Sequence, residues 1–244
     1  MNRYLLFSKS AYYAVVGALP LLAAYELLIL TSNEGPVEVR NAADVLLRNL
    51  LGAFGLTPTQ AYLAMILVLI VAIPVIKDRR VSLVPRYFLF MLGEALLYSL
   101  VLGFVINLLL RPLLFAVPGA LAQAAGPIAL AVPVQGGLAQ IVGQSIGAGL
   151  FEEFLFRVIL LNLLLMVTRL VLAEWLSAVV AILAASFVFS LAHYIGPLGD
   201  AIDIHSFLFR WVAGLLFTVL YYLRGFGVTA YAHALYDIRV LLFF

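Results

Sequence analysis

Residues 137–167, GLAQIVGQSIGAGLFEEFLFRVILLNLLLMV, decide how this chain is read. The stretch is long and apolar enough to cross a bilayer, which takes about 20 residues of helix. Yet Glu152, Glu153 and Arg157 fall within six residues of its middle. A charge at bilayer depth costs about 2.5 kcal/mol or more, so an ionisable group there normally faces a partner or a cavity. Three such groups on one helix imply a polar interior shared with other helices.

The rest of the chain agrees with a membrane setting. Its 244 residues are 66% hydrophobic and 11% charged, with mean hydropathy +1.16, whereas soluble domains carry about 25% charged residues. At about 20 residues per span, the length holds seven or eight spans and leaves no room for a soluble domain. The expectation is one all-α, polytopic membrane domain over 1–244 with an intramembrane polar cavity, its motif-bearing core in 137–244. The net charge of +2 comes from few residues and forms no basic run, so nucleic acid is not expected as a partner. The lack of cysteine excludes disulfides, thiolate metal sites and a cysteine nucleophile.

Apolar stretches between charges and turn residues predict spans near 11–30, 60–76, 86–110, 137–167, 172–195, 206–223 and 226–244. The N-terminal hydrophobic stretch follows MNRYLLFSKS without a small-residue cleavage site and reads as a retained first span. Residues 31–52 read as an interfacial loop and short surface helix. Residues 111–137, broken by Pro and Gly, read as a reentrant segment or an eighth span. With a cytoplasmic N-terminus, Arg3, Lys9, Lys77, Arg79, Arg80, Arg86, Arg169 and Arg224 lie inside while Arg40, Arg48 and Arg111 lie outside. The positive-inside rule favours that orientation.

Helix geometry divides the charged cluster. Glu153 and Arg157, four apart, share a face and should pair, while Glu152 diverges by about 100° and is left free as a general base. Further along, Phe189 lies one turn before His193, an aromatic wall beside an imidazole. His233 and Asp237 again lie four apart on one face. Either Asp237 orients His233, or both contribute to a metal site, zinc being the metal that imidazole and carboxylate suit. Glu26 and Glu94 read as bonded to neighbouring helices or water, Arg210 and Arg239 as snorkelling or paired, and Asp200, Asp203 and His205 as a solvated loop.

Taken in order, Glu152-Glu153-x-x-x-Arg157, Phe189-x-x-x-His193 and His233-x-x-x-Asp237 resemble the CPBP family of intramembrane proteases, which includes the CAAX prenyl endopeptidases and bacteriocin-processing or self-immunity proteins. The three motifs cover 152–237, about a third of the chain. The resemblance implies peptide hydrolysis by an activated water: Glu152 and His193 as activators, His233 and position 237 as oxyanion stabilisers, Glu153 and Arg157 in support. It implies a membrane-associated, in some members lipid-modified, protein or peptide as substrate. It is compatible with a glutamate-dependent reaction needing no metal, the reading favoured here, and with zinc. Position 237 is often Asn in prenyl-protein-processing members, and an ionised Asp cannot donate to an oxyanion.

Independently of the family, two histidines and a free glutamate in a dry cavity supply a base, an acid and oxyanion stabilisation. Ser145 and Ser190 lack the Gly-x-Ser-x-Gly setting of a nucleophile. A non-enzymatic scaffold or immunity protein using the same cavity is the alternative, and an ion-coupled transporter ranks below both because no repeat is evident. One geometric difficulty stands out. Glu152 is 17 residues from Arg169, about 25 Å of helix, whereas His233 follows Arg224 by nine. Tilt, a late helix start after Gly225 and Gly227, or an inward loop must bring them level.

Overall fold

The computed structural model describes residues 3–32, 39–77, 80–116, 137–196 and 199–243, with the side chains of 111–116 and 243 left aside. The described residues are helical throughout and contain no strand. The helices are α1 (Arg3–Ser8), α2 (Ala11–Ser32), α3 (Ala42–Gly52), α4 (Pro58–Ile76) and α5 (Arg86–Ala116). They continue with α6 (Leu138–Gly147), α7 (Asn162–Thr168), α8 (Glu174–Ala192), α9 (Ile204–Arg224) and α10 (Phe226–Phe243). Between α6 and α7 the helix widens to π geometry over Ala148–Glu152 and Phe154–Leu161, so that 138–168 forms one long helix.

Among the described residues, five helices are long and apolar enough to cross a membrane: Ala11–Ser32, Pro58–Ile76, the Arg86–Leu110 part of α5, Glu174–Ala192 and Ile204–Arg224. Large apolar side chains such as Val68, Leu89, Phe104 and Leu183 lie exposed along these helices. Patches of that extent would drive association in water, whereas lipid accepts them. The chain is a multi-pass integral membrane protein. The other two expected spans also form helices with nearly the expected limits, over 138–168 and Phe226–Phe243. Pro20 and Pro74 sit inside α2 and α4, as helices in a bilayer tolerate.

Helix ends follow local chemistry. Thr57 and Gln60 exchange side-chain and backbone hydrogen bonds in a capping box at the start of α4, with Pro58 at the first position. Asp203 caps α9 by accepting from Ser206 N at 2.8 Å. That helix ends at Gly225, whose φ of +79° suits a residue without Cβ.

The polar helix α10 is the centre of the bundle and packs on α2, α5, α6, the first π stretch and α9. Small residues permit this. A Cβ on Gly149 would overlap the Ala230 carbonyl and come within 2.9 Å of the Ala234 Cβ on α10. Gly143, four before Gly147, faces Leu28 and Ile29 of α2, and Gly147 faces Tyr25. This small-xxx-small spacing lets backbones approach as membrane helices require.

A late helix start is not what brings His233 level with Glu152, since the last described helix, α10, begins immediately after Gly225. Arg224 is buried and pairs with Glu94 of α5 through Nε and, at 2.7 Å, through Nη2; Nη2 also donates to Ser8 Oγ at 3.0 Å. Tyr4 of α1 donates to Glu94 as well. Glu94 stands eight residues into α5, or about 12 Å. Those eight residues and the nine from Arg224 to His233 together span about 25 Å of helix, the length that separates Glu152 from Arg169.

Two expectations change. The 31–52 segment does more than lie at an interface: Asp44 is fully buried in α3 and takes ion pairs from Arg40 at 3.1 Å and Arg48 at 2.6 Å, while Glu26 also pairs with both arginines. The loop before α9 is likewise more than solvated, since Asp200 pairs with Arg210. Of the broken segment 111–137, α5 takes up the first part as far as Ala116, and the choice between a reentrant segment and a span falls on residues outside those described.

Candidate functional site

The long 138–168 helix delivers both glutamates from its π-helical part. Glu152 closes the first π stretch and Glu153 joins it to the second. Widened turns of this kind are uncommon and frequent at functional sites. The adjacent side chains take opposite roles, as their divergence around the axis requires.

Glu153 turns into the protein and is fully buried. Its Oε1 lies 3.0 Å from Arg157 Nη1, the expected one-turn pair. The same oxygen lies 2.6 Å from His233 Nδ1, a contact to α10 that helical spacing could not disclose. Arg157 is itself 1% exposed; its guanidinium sits 4.4 Å from the centre of the Phe189 ring, and Nη2 donates to the Gly214 carbonyl at 3.4 Å. A Cβ on Gly214 would fall 2.9 Å from Phe189, so the glycine admits the ring that covers the arginine. An ion pair this deep requires such close company to offset its desolvation.

Glu152 turns the other way, onto a pocket of ≈180 Å³ lined by Phe189, His193, Arg210, Phe217, His233 and Asp237 among others. Its Oε2 is 4.0 Å from His193 Nε2. His193 ends α8, and its Nδ1 is 2.8 Å from the Phe189 carbonyl. A carbonyl only accepts, so Nδ1 carries the hydrogen and the Nε2 of a neutral ring presents a lone pair. Two acceptors therefore face each other across the pocket, at a spacing a bridging water spans. Phe189 meets the His193 ring edge-on with centroids 5.0 Å apart, the expected aromatic wall.

His233 is buried and stacks on Phe217, with centroids 4.5 Å apart and planes at 20°. With Nδ1 bonded to Glu153, its Nε2 is the nitrogen turned toward Asp237, whose Oδ2 lies 3.6 Å away. That exceeds hydrogen-bond length. The residue that orients His233 is thus Glu153, and the expected Asp237–His233 hydrogen bond is absent, because Nε2 stands 3.6 Å from Asp237 Oδ2. Asp237 keeps 26% of its side chain exposed.

All six residues singled out in the sequence gather here, in two layers. Glu152, His193, His233 and Asp237 line the pocket, while Glu153 and Arg157 do not. Among the described residues, no group of three or more His, Asp or Glu side chains is arranged to hold a metal ion. Two participants were not singled out. Arg210 lines the pocket while paired with Asp200 and set over the Tyr194 ring. Asn41, at the start of α3, donates from Nδ2 to Glu152 Oε1 at 3.0 Å. A helix-capping asparagine is legible in sequence, but nothing local ties it to a glutamate 111 residues away.

Neither the curated proteins nor the solved structures yielded a match to the chain. A family model, described as type II CAAX prenyl endopeptidase Rce1-like, matches residues 134–239, a segment holding all three motifs and every pocket-lining motif residue. Over those residues, somewhat less than half of the chain, the protein is similar to the Rce1-like CAAX protease family.

Proposed function

We propose that the protein is an intramembrane endopeptidase that hydrolyses a peptide bond in a membrane-associated, prenylated or otherwise lipid-modified protein or peptide. One observation carries the reading: Glu152 Oε2 and His193 Nε2 face each other at 4.0 Å across the pocket. A water donating both hydrogens at ordinary lengths needs acceptors about 4 to 4.5 Å apart. Held so, its oxygen lone pairs point into the pocket, where a scissile carbonyl would lie. Glu152 takes the proton as the water attacks and returns it to the leaving amine. His233 stands on the opposite wall with Nδ1 tied to Glu153, and that carboxylate supports positive charge on the ring as Nε2–H donates to the oxyanion. Glu153 and Arg157 hold this imidazole and do not touch substrate. Asp237 lies at the rim and contacts the scissile region only through His233 or a bound peptide.

In this reading the 138–168 helix and α10 also cross the membrane, giving seven spans in a single domain whose catalytic core is 137–244, with the N-terminus cytoplasmic. The pocket is an intramembrane cavity open to lipid-borne substrate. The chemistry runs on the protein's own acids and bases, with zinc as the competing reading.

The deciding experiment uses the purified protein in liposomes with a farnesylated CAAX-type peptide bearing a fluorophore and quencher. Wild type is expected to cleave it, while Glu152→Gln and His193→Ala are inactive yet folded. Full activity of Glu152→Gln would sink the mechanism.

A further inference from the structure

Asn41 belongs to the N-terminal part of the chain, far before the matched segment, yet it reaches the glutamate at the centre of the site. Its carboxamide has a single orientation compatible with its partners. Oδ1 accepts from Ala43 N at 2.9 Å, and Nδ2 donates to Glu152 Oε1 at 3.0 Å. A backbone N–H can only donate and a carboxylate can only accept, so a flipped amide would lose both bonds.

The backbone of Asn41 is fixed as well. Its N–H donates to Tyr25 Oη at 3.1 Å, and that hydroxyl donates to Asp44 Oδ2 at 3.0 Å. Asp44 is anchored in turn by Arg40 and Arg48. On the other side, Gly147 of the motif helix opens the space: a Cβ there would come 2.6 Å from Tyr25 Cε2 and 2.9 Å from Asn41 Cβ. An extensive buried network thus ends in one N–H aimed at one carboxylate oxygen.

We infer that Asn41 is a positioning residue for the reaction: by occupying Oε1 of Glu152 it fixes the carboxylate and leaves Oε2 as the oxygen that faces His193 and takes the water's proton. The inference rests on the reading of Glu152 as general base. With Oε1 taken by that donor, Oε2 is the oxygen left to bind a proton, and loss of the donor opens both oxygens to one.

The test separates this role from helix capping. Asn41→Ser and Asn41→Asp both keep a side-chain acceptor for the α3 N-terminus and remove the donor to Glu152. On the prenylated peptide above, kcat is expected to fall about ten- to a hundredfold, the range for losing a hydrogen bond to a charged group, with KM nearly unchanged. A second readout needs no turnover. Dicyclohexylcarbodiimide modifies protonated carboxyls, and its rate at Glu152, followed by peptide mass spectrometry at neutral pH, is expected to rise about tenfold in both variants, while Glu94 is unchanged. The other charged or titratable groups around Glu152 are His193 from α8, Arg210 from α9, His233 and Asp237 from α10, and Arg157 on its own helix, all retained in the variants.

Wild-type labelling rates at Glu152 in both variants would overturn the inference, as would unaltered kcat. If wild type fails to cleave the peptide, the proposed protease function falls, and the labelling comparison still decides whether Asn41 governs Glu152. Should one variant fail to fold, the other stands in; Gly147→Ala, which displaces Asn41 without altering it, is expected to reproduce the faster labelling.

Discussion

Glu153 Oε1 lies 2.6 Å from His233 Nδ1, joining the motif helix to the central helix α10 across 80 residues of sequence. Because the same oxygen holds Arg157 at 3.0 Å, removing the arginine strips a fully buried carboxylate of its strongest counter-charge. Arg157→Met is expected to destabilise the fold by about 3–5 kcal/mol, the range for breaking a buried pair. Thermal unfolding in micelles measures it, and an unchanged midpoint would remove Arg157 from its structural role.

Glu152 and His193 should behave in the opposite way. Both line the pocket and neither anchors a helix through an ion pair of the Arg157 kind. Glu152→Gln and His193→Ala are expected to lose about 10²–10⁴ in kcat, as for removal of a positioned acid or base, with the unfolding midpoint within a few degrees of wild type. Equal losses of stability and activity would assign them to packing instead.

Asp237 offers a different contrast, because its carboxylate does not reach hydrogen-bond length from His233. Asp237→Asn supplies an N–H donor that an ionised aspartate lacks. Its kcat/KM is expected within about tenfold of wild type, a change of about 1.4 kcal/mol in barrier or less. A loss beyond a hundredfold would give the negative charge itself a task, with metal binding the first to examine by titrating zinc into both proteins.

Gly149 tests the packing that brings the layers together. A side chain there overlaps the Ala230 carbonyl, part of the central helix backbone that cannot yield cheaply. Gly149→Val is expected to destabilise the protein by about 1–3 kcal/mol or more through overpacking and to reduce activity in the folded fraction by parting Glu153 from His233. Unaltered stability would show that α10 has room to retreat.

Much of this was readable from sequence. The helix limits came from hydropathy, because lipid demands continuous apolar stretches whose ends are marked by charges and turn residues. The Glu153–Arg157 pair and the Phe189–His193 contact followed from one-turn spacing, a local property. Partners on different helices did not follow. His233 is held by Glu153 rather than by its own neighbour Asp237, and Asn41 reaches Glu152, because those choices depend on how close the helices pack. The glycines at 143, 147 and 149 set that closeness. The four-residue spacing of the first two was a signal, but a spacing motif does not say which helix will fill the gap. The π geometry around Glu152 and Glu153 had no signature at all.

The turn between α9 and α10 has a consequence for how the protein is made. Arg224 follows Glu94 by 130 residues, so the carboxylate of α5 is synthesised long before its cation exists. A chain cut short before residue 224 keeps the Tyr4 hydroxyl on Glu94 and leaves it without its arginine.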